Sequence, residues 1–305
     1  MAISALSKMT QHTPVLLQET IDNLTLLSGQ TVLDGTFGGG GHSELIAEKI
    51  NPQGTLIAFD VDEKSLSIAK KRIEDKGLEI TVHAINENFR NIDDVLKNLG
   101  IEKIDRALLD LGFSSDQMEG EGRGFSFKKD EPLQMTLSGK GDYTAIDFLN
   151  TKNEEEISQV LMEYGEESFG RQIASAIVER RKEKPITTTG ELVEIIKSAT
   201  PEWYAYKKIH PATRTFQAIR IAVNDELGAL REFLSKAPQI MDKHGRLALI
   251  TFHSLEDRIV KQKMSDWEKE DIGKRVKRSV FKPSREEVLS NRRSRSAKLR
   301  VFEFN

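Results

Sequence analysis

Three stretches of this 305-residue chain carry side chains able to bind or act on a small molecule. The first reads Val32-Leu33-Asp34-Gly35-Thr36-Phe37-Gly38-Gly39-Gly40-Gly41-His42-Ser43, an apolar run and an acid followed by four consecutive glycines. Glycines allow a tight turn and let a ligand approach the backbone without a Cβ in the way. A dinucleotide fingerprint needs G-x-G-x-x-G or A. Counted from Gly38 and Gly40 the last position is Ser43, and from Gly39 and Gly41 it is Glu44, so neither frame fits. The second stretch is Ala58-Phe59-Asp60-Val61-Asp62, with Asp60 twenty positions after Gly40. A carboxylate there can accept both hydroxyls of a ribose, which speaks for a nucleoside cofactor without saying which one. Asp62 is better placed to cap the next helix. The third is Leu108-Leu109-Asp110-Leu111-Gly112-Phe113-Ser114-Ser115. Its acid can hold a target amine, and its aromatic can stack on a base.

These residues need a scaffold that brings them together. Short apolar runs at 31–33, 55–59, 80–83, 107–109 and 246–251 read as buried parallel strands. Helical patterns at 43–50, 63–76 and 92–99 fall between the first four, so the expected fold is a doubly wound α/β domain with the three acids at strand ends. The alternation then stops. From Asp110 to Gly245, a separation of 135 positions, there is no convincing strand, only a glycine-rich stretch and amphipathic helices around Ile157, Val160, Leu161 and Tyr164, and around Phe169, Ile173 and Ile177. One strand-to-strand connection needs far less chain, so a helical insertion is expected from about 115 to 210. A long helix is expected at 212–236, with Phe216, Ile219, Val223, Leu227, Leu230 and Leu234 as its buried stripe and Gln217, Arg220 and Asn224 on a polar one. Ser254 with Asp257 reads as a helix cap, and two late strands are expected at 276–281 and 299–304.

Composition narrows the function classes. With 38% hydrophobic and 30% charged residues the chain reads as soluble and globular, with no apolar run long enough to cross a membrane. Residues 1–11 lack the apolar core of a signal peptide. Cysteine is absent, which excludes disulfides, thiolate metal sites and a cysteine nucleophile and fits a cytoplasmic location. The six histidines show no metal-ligand spacing, so no metal site is expected. The net charge of −3 conceals an asymmetry: residues 274–305 carry +8 and the rest −11, as expected of a surface facing a polyanion such as nucleic acid.

An acid just ahead of a glycine loop, as at Asp34, resembles the adenosylmethionine loop of class I methyltransferases. Asp110-x-x-Phe113 resembles the Asp/Asn-Pro-Pro-aromatic element of amino-group methyltransferases, without its prolines. Longer matches follow in order along the chain: His12 to Glu19, Asp34 to Ser43, Asp110 to Ser115, Arg123 to Phe127, His210 to Arg220, His253 to Arg258 and Arg293 to Arg300. On these the chain resembles the bacterial 16S ribosomal RNA cytosine-N4 methyltransferases. The resemblance implies a Rossmann-like class I methyltransferase sheet formed by 1–114 and 211–305, with a helical domain at 115–210 serving substrate recognition. It implies S-adenosyl-L-methionine as methyl donor and no metal. Gly40, Gly41 and His42 would line the methionine and sugar end, Asp60 the ribose and Phe89 the adenine, with Asp110 and Gln117 completing the cofactor contacts. Asp110, with the backbone carbonyl after it, is the candidate for holding the N4 amine. The implied partner is 16S ribosomal RNA within the small ribosomal subunit, and a homodimer is left open. The absence of cysteine argues against C5 methylation through attack on C6, and the absence of lysine from 110–115 against 2′-O-methylation. Where the family reads Pro-Leu-Asp-Met-Arg-Met, this chain has Pro132-Leu133-Gln134-Met135-Thr136-Leu137, so an acid and an arginine are missing. Two rivals are carried: a non-catalytic RNA-binding or ribosome assembly factor that keeps the fold, and a nucleotide-dependent dehydrogenase, which the glycine spacing disfavours.

Overall fold

The computed structural model describes residues 14–112, 122–139 and 143–305. It divides into two compact units, Met1–Gly112 with Leu230–Asn305, and Phe113–Ala229.

The first unit is built on a seven-stranded sheet in the order β3-β2-β1-β4-β5-β7-β6. The strands are β1 (Thr31–Asp34), β2 (Thr55–Phe59), β3 (Thr81–Ile85), β4 (Ile104–Asp110), β5 (Met241–Thr251), β6 (Gly273–Arg275) and β7 (Lys298–Phe304). The first five run parallel, and β7 lies antiparallel between β5 and β6. Successive side chains on a strand point to opposite faces, and here both faces are apolar. Leu33, Ile57, Leu109 and Leu249 enter one buried cluster; Val32, Leu56, Leu108 and Ala248 enter the other. Helices α1 (Leu17–Leu24), α2 (Gly41–Ile50) and α3 (Glu63–Glu74) supply the second cluster, and α4 (Ile92–Leu99) the first. Because β1 has β2 on one side and β4 on the other, the chain reverses its direction of travel across the sheet at β1. That reversal opens a crevice at the carboxyl ends of β1 and β4, where open α/β sheets bind ligands. The late strands differ from expectation. Residues 276–281 do not form one strand; β6 ends at Arg275, and Phe281 rejoins through a single bridge to Leu299, because the polar run Lys277-Arg278-Ser279 leaves the ladder between them.

The second unit is helical: α5 (Ala145–Thr151), α6 (Glu154–Gly165), α7 (Gly170–Glu183), α8 (Thr189–Ala199), the short α9 (Glu202–Ala205) and α10 (Ala212–Asn224). Capping boxes start three of them, at Thr144/Asp147, Asn153/Glu156 and Thr188/Glu191. The expected long helix at 212–236 is instead two helices. Asp225 adopts a left-handed conformation (φ 46°), and α11 (Glu226–Ile240) starts after it. Arg220 bonds both oxygens of Glu226 at 2.9 Å, clamping the corner with a two-point ion pair. Ala212, Phe216, Ala218 and Ile219 of α10 join the core of α6, α7 and α8, so the unit continues well past residue 210.

The polar stripe of α10 has structural work. Gln217 donates to the Tyr164 carbonyl at 3.2 Å. Asn224 accepts from Leu137 N at 2.8 Å and donates to Met135 O at 2.7 Å. The segment that departs from the family pattern is therefore tied down through its backbone: Leu133 N also reaches Thr187 O, and Met135 N reaches Arg123 O. Gln134 is exposed and Thr136 buried. In the first unit, helix α12 (Ser254–Lys269) is capped one residue earlier than expected: His253 is its N-cap and Glu256 the reciprocal partner. Asp257 has another task, bonding Lys298 Nζ at 2.7 Å and Arg300 Nε at 2.8 Å.

Asn224→Ala removes two of the bonds that hold the 135–137 segment and leaves part-buried backbone groups unpaired, a loss of about 1–3 kcal/mol. Urea unfolding should register it; an unchanged midpoint would show that the segment is held by other means.

Candidate active site

The first unit gathers its acids at the carboxyl ends of β1, β2 and β4. Asp34 ends β1 and is buried. Its Oδ1 accepts Thr36 N at 3.0 Å and its Oδ2 accepts the Ser43 hydroxyl at 2.6 Å, so one carboxylate ties both ends of the glycine loop. Thr36 passes the constraint on: its hydroxyl oxygen accepts Asp110 N at 2.6 Å, pinning the end of β4 to the loop. Asp60 follows β2 with one oxygen accepting Gly38 N at 2.6 Å and the other Asp62 N at 2.7 Å. A carboxylate offers about four lone-pair sites, so Asp60 has capacity for further donors such as ribose hydroxyls. Asp62 itself caps α3, accepting Lys64 N and Ser65 N.

The glycines have distinct reasons to be glycine. Gly38 and Gly40 have φ of 51° and 78°, the left-handed region that L side chains rarely adopt. A Cβ on Gly40 would stand 2.9 Å from Ala69 Cβ, and one on Gly41 would stand 2.2 Å from Pro14 Cγ. Two of the positions expected to let a ligand approach are thus already demanded by packing within the protein. Gly39 faces open space.

The other expected site residues converge on the same loop. His42, at the start of α2, is buried, with Nε2 3.2 Å from Val15 O and Nδ1 3.7 Å from Asp110 Oδ2. Phe89 lies in a 3₁₀ turn after β3, capped by Asn88, and packs edge-on against Phe233 at 5.8 Å. Its Cβ stands beside Gly35, within 3.2 Å of where a side chain would begin. Gln117 and Phe113 lie outside the described residues. Sequence patterns did not single out Thr36, Ser43 or Asn86, whose Nδ2 donates to Asp60 O at 2.9 Å. Each acts through one hydrogen bond to a partner fixed only by the folded loop, and a lone Ser, Thr or Asn carries no spacing signal.

The electrostatics follow from burial. Desolvation pushes Asp34 and Asp60 up to about 6 and Asp110 up to about 7, and the charge of Asp34 adds to the rise of Asp110. Asp110 is divided in its surroundings. Its Oδ1 is buried without a hydrogen-bond partner among the described residues, while the side chain as a whole keeps 23% of its surface. A buried acceptor left without a partner is what an N–H donor or a cation would satisfy.

A glycine loop after β1, an acid after β2 and a half-satisfied acid after β4, set on a sheet of this order, define the class I methyltransferases. The chain belongs to the MraW methylase family, whose model matches residues 9–305. It is 45% identical over 306 residues to a ribosomal RNA small subunit methyltransferase H of Clostridium botulinum, covering 95% of this chain and 98% of that one. A protein of the same name from Brevibacillus brevis is 44% identical over 307 residues, covering 96% and 97%. A SAM-dependent methyltransferase structure from Aquifex aeolicus is 10% identical at a TM-score of 0.41, covering 95% of this chain and 90% of that one.

The raised value of Asp110 has a cost for the fold. With a folded pKa of about 7 against an ordinary 3.8, the residue's contribution to stability is intact below about pH 4 and is lost as pH rises to about 7. Asp110→Asn, neutral at every pH, should therefore be more stable than the parent at pH 8 by about 1–4 kcal/mol, with the difference vanishing at about pH 4. Urea unfolding at the two pH values decides it, and equal differences at both would show that the carboxyl is not strained by burial.

Proposed function

We propose that the protein transfers a methyl group from S-adenosyl-L-methionine to the N4 amine of a cytidine in 16S ribosomal RNA. Family membership supports the class of reaction, and the observation that carries the target is Asp110 at the end of β4, a half-buried carboxyl whose Oδ1 has no hydrogen-bond partner among the described residues. The residues fit the cofactor. Gly38 to Gly41 form the loop beside it, Asp60 has lone pairs for the ribose, and three carboxylates create a field that favours a cation. Gly40, Gly41, His42, Asp60, Phe89, Asp110 and Gln117 are the contacts assigned to it.

When bound, the donor supplies an already activated methyl on a sulfonium. The protein's task is the nucleophile, because the N4 lone pair is delocalised into the cytosine ring. Asp110 accepts an N–H of the amine and, with the carbonyl of Leu111, favours pyramidalisation and aims the lone pair. As positive charge develops on nitrogen, a carboxyl with a pKa of about 7 is matched to receive the departing proton. Positioning and electrostatics then supply the acceleration. The second unit serves RNA recognition, and assembled small subunits or a late precursor are better substrates than free RNA. A homodimer and a cytoplasmic location fit this role. Among the described residues no helix is long and apolar enough to cross a membrane.

The basic tail contributes less than its charge suggests. Arg275 pairs with Glu268, Lys274 with Glu303, and Lys298 and Arg300 with Asp257. Burial pushes Asp257 up, but Arg300 and Lys298 hold it below its ordinary value. Lys298 is therefore tied to the fold through Asp257. Arg292 and Arg295 are exposed and are assigned to phosphates.

Nuclease digestion and mass spectrometry of the methylated RNA should place the label on N4, and label on C5 or ribose instead would overturn the role of Asp110. Asp110→Asn should lower the methyl-transfer rate about a hundredfold or more, and Asp60→Ala should cost about 1–3 kcal/mol of donor affinity by calorimetry. Neutralising Arg292 and Arg295 should flatten the salt dependence of RNA binding by roughly 0.7–0.9 per phosphate no longer neutralised; an unaltered slope would return the tail to the solvated surface.

A further inference from the structure

The second unit exposes a patch of aromatic and basic side chains at 203–214. From 201 to 210 only Tyr204 is buried. It anchors the segment, its hydroxyl lying 2.9 and 2.8 Å from the two oxygens of buried Glu167. Around that anchor Trp203 is 55% exposed, Tyr206 79% and Ile209 50%. The chain's other tryptophan, Trp267, is 1% exposed, so an indole left in water is against the rule of its own fold. Trp203 is nevertheless held in place, edge-on to Phe169 and to Tyr204 with ring centres 5.9 Å apart in each case. Trp203 is therefore both solvent-exposed and held in place.

Cations are interleaved with them. Lys207 Nζ lies 5.0 Å from the ring centre of Trp203 and 4.8 Å from that of Tyr204, which fixes an ammonium at the centre of the patch. Lys208 and Arg214 line the same shallow pocket with Tyr204, Ile209 and His210. Arg214 is oriented by a 2.9 Å bond to the Glu166 carbonyl. Glu202 is the only acid within 201–214, and it lies 3.3 Å from the Tyr206 hydroxyl. His210 has a structural part instead: it stacks on Phe127 at 4.5 Å, and its Nδ1 accepts Ala212 N at 3.2 Å.

Rigid open rings alternating with ammonium and guanidinium groups match one chemistry well. Every nucleobase has a π-face for the rings, and every nucleotide a phosphate for the cations. A purely apolar partner would desolvate three cations without offering them an anion. We infer that the Trp203–Arg214 surface docks a single-stranded segment of RNA, with bases stacked on Trp203 and Tyr206 and phosphates held by Lys207, Lys208 and Arg214. This rests on reading the protein as an RNA methyltransferase and specifies where its second unit grips the substrate.

Titration of the full-length protein with an unstructured RNA oligonucleotide of about ten nucleotides tests it. Stacking on Trp203 should quench tryptophan emission, and Trp203→Leu should abolish the quench because Trp267 is out of reach in the core. Tyr206→Ala, at a mostly solvated side chain, should keep the fold and weaken binding roughly tenfold. The Lys207→Gln, Lys208→Gln pair should flatten the salt slope by roughly 0.7 for each phosphate that goes unneutralised. Adenosylmethionine affinity should not move in any of these variants. Unchanged RNA affinity and salt slope in folded variants would overturn the assignment. So would a loss confined to binding of RNA-free ribosomal proteins, which would make this a protein-docking face. Failure of the enzymatic reading shows separately, as absence of N4 label from the unaltered protein.

Discussion

The buried carboxylate of Asp34 is the constraint on which the site depends. It replaces lost water with two internal donors, Thr36 N and the Ser43 hydroxyl, and so closes the loop that leads from β1 into α2. Because the Thr36 hydroxyl then receives Asp110 N, the same closure sets the end of β4. A hydrogen-bonded acid in an apolar sheet end is tolerated only when its partners are in place, so the loop has one well-satisfied shape. Asp60 extends this order to β2 by holding Gly38 N.

Three acids brought together in this way oppose one another. Burial disfavours each charge, and Asp34 raises the other two through space. A cation placed among them would relieve the conflict. The protein's basic charge is arranged with the opposite logic. Lys298 and Arg300 flank Asp257 inside the fold, whereas the cations of the 203–214 surface stand beside open aromatic rings.

The order of residues alone dictates the sheet and the place of its acids. Apolar runs such as Thr55–Phe59 are buried on both faces whatever surrounds them, and an acid that ends such a run must stand at the sheet's edge, as Asp34 and Asp110 do. The run of glycines likewise announces a turn, and Gly38 and Gly40 have the positive φ that glycine adopts most readily. Whatever depends on neighbours far along the chain is settled by folding. The helix expected at 212–236 breaks at Asp225 although its apolar stripe carries on, because Phe216 and Ile219 join one core and Leu230 and Leu234 another. The α12 cap falls on His253, and Asp257 goes to Lys298 and Arg300, forty residues and more away. Packing raises Asp110 and turns Trp203 outward while Trp267 goes in, because desolvation and exposure belong to the packed surface and not to local spacing.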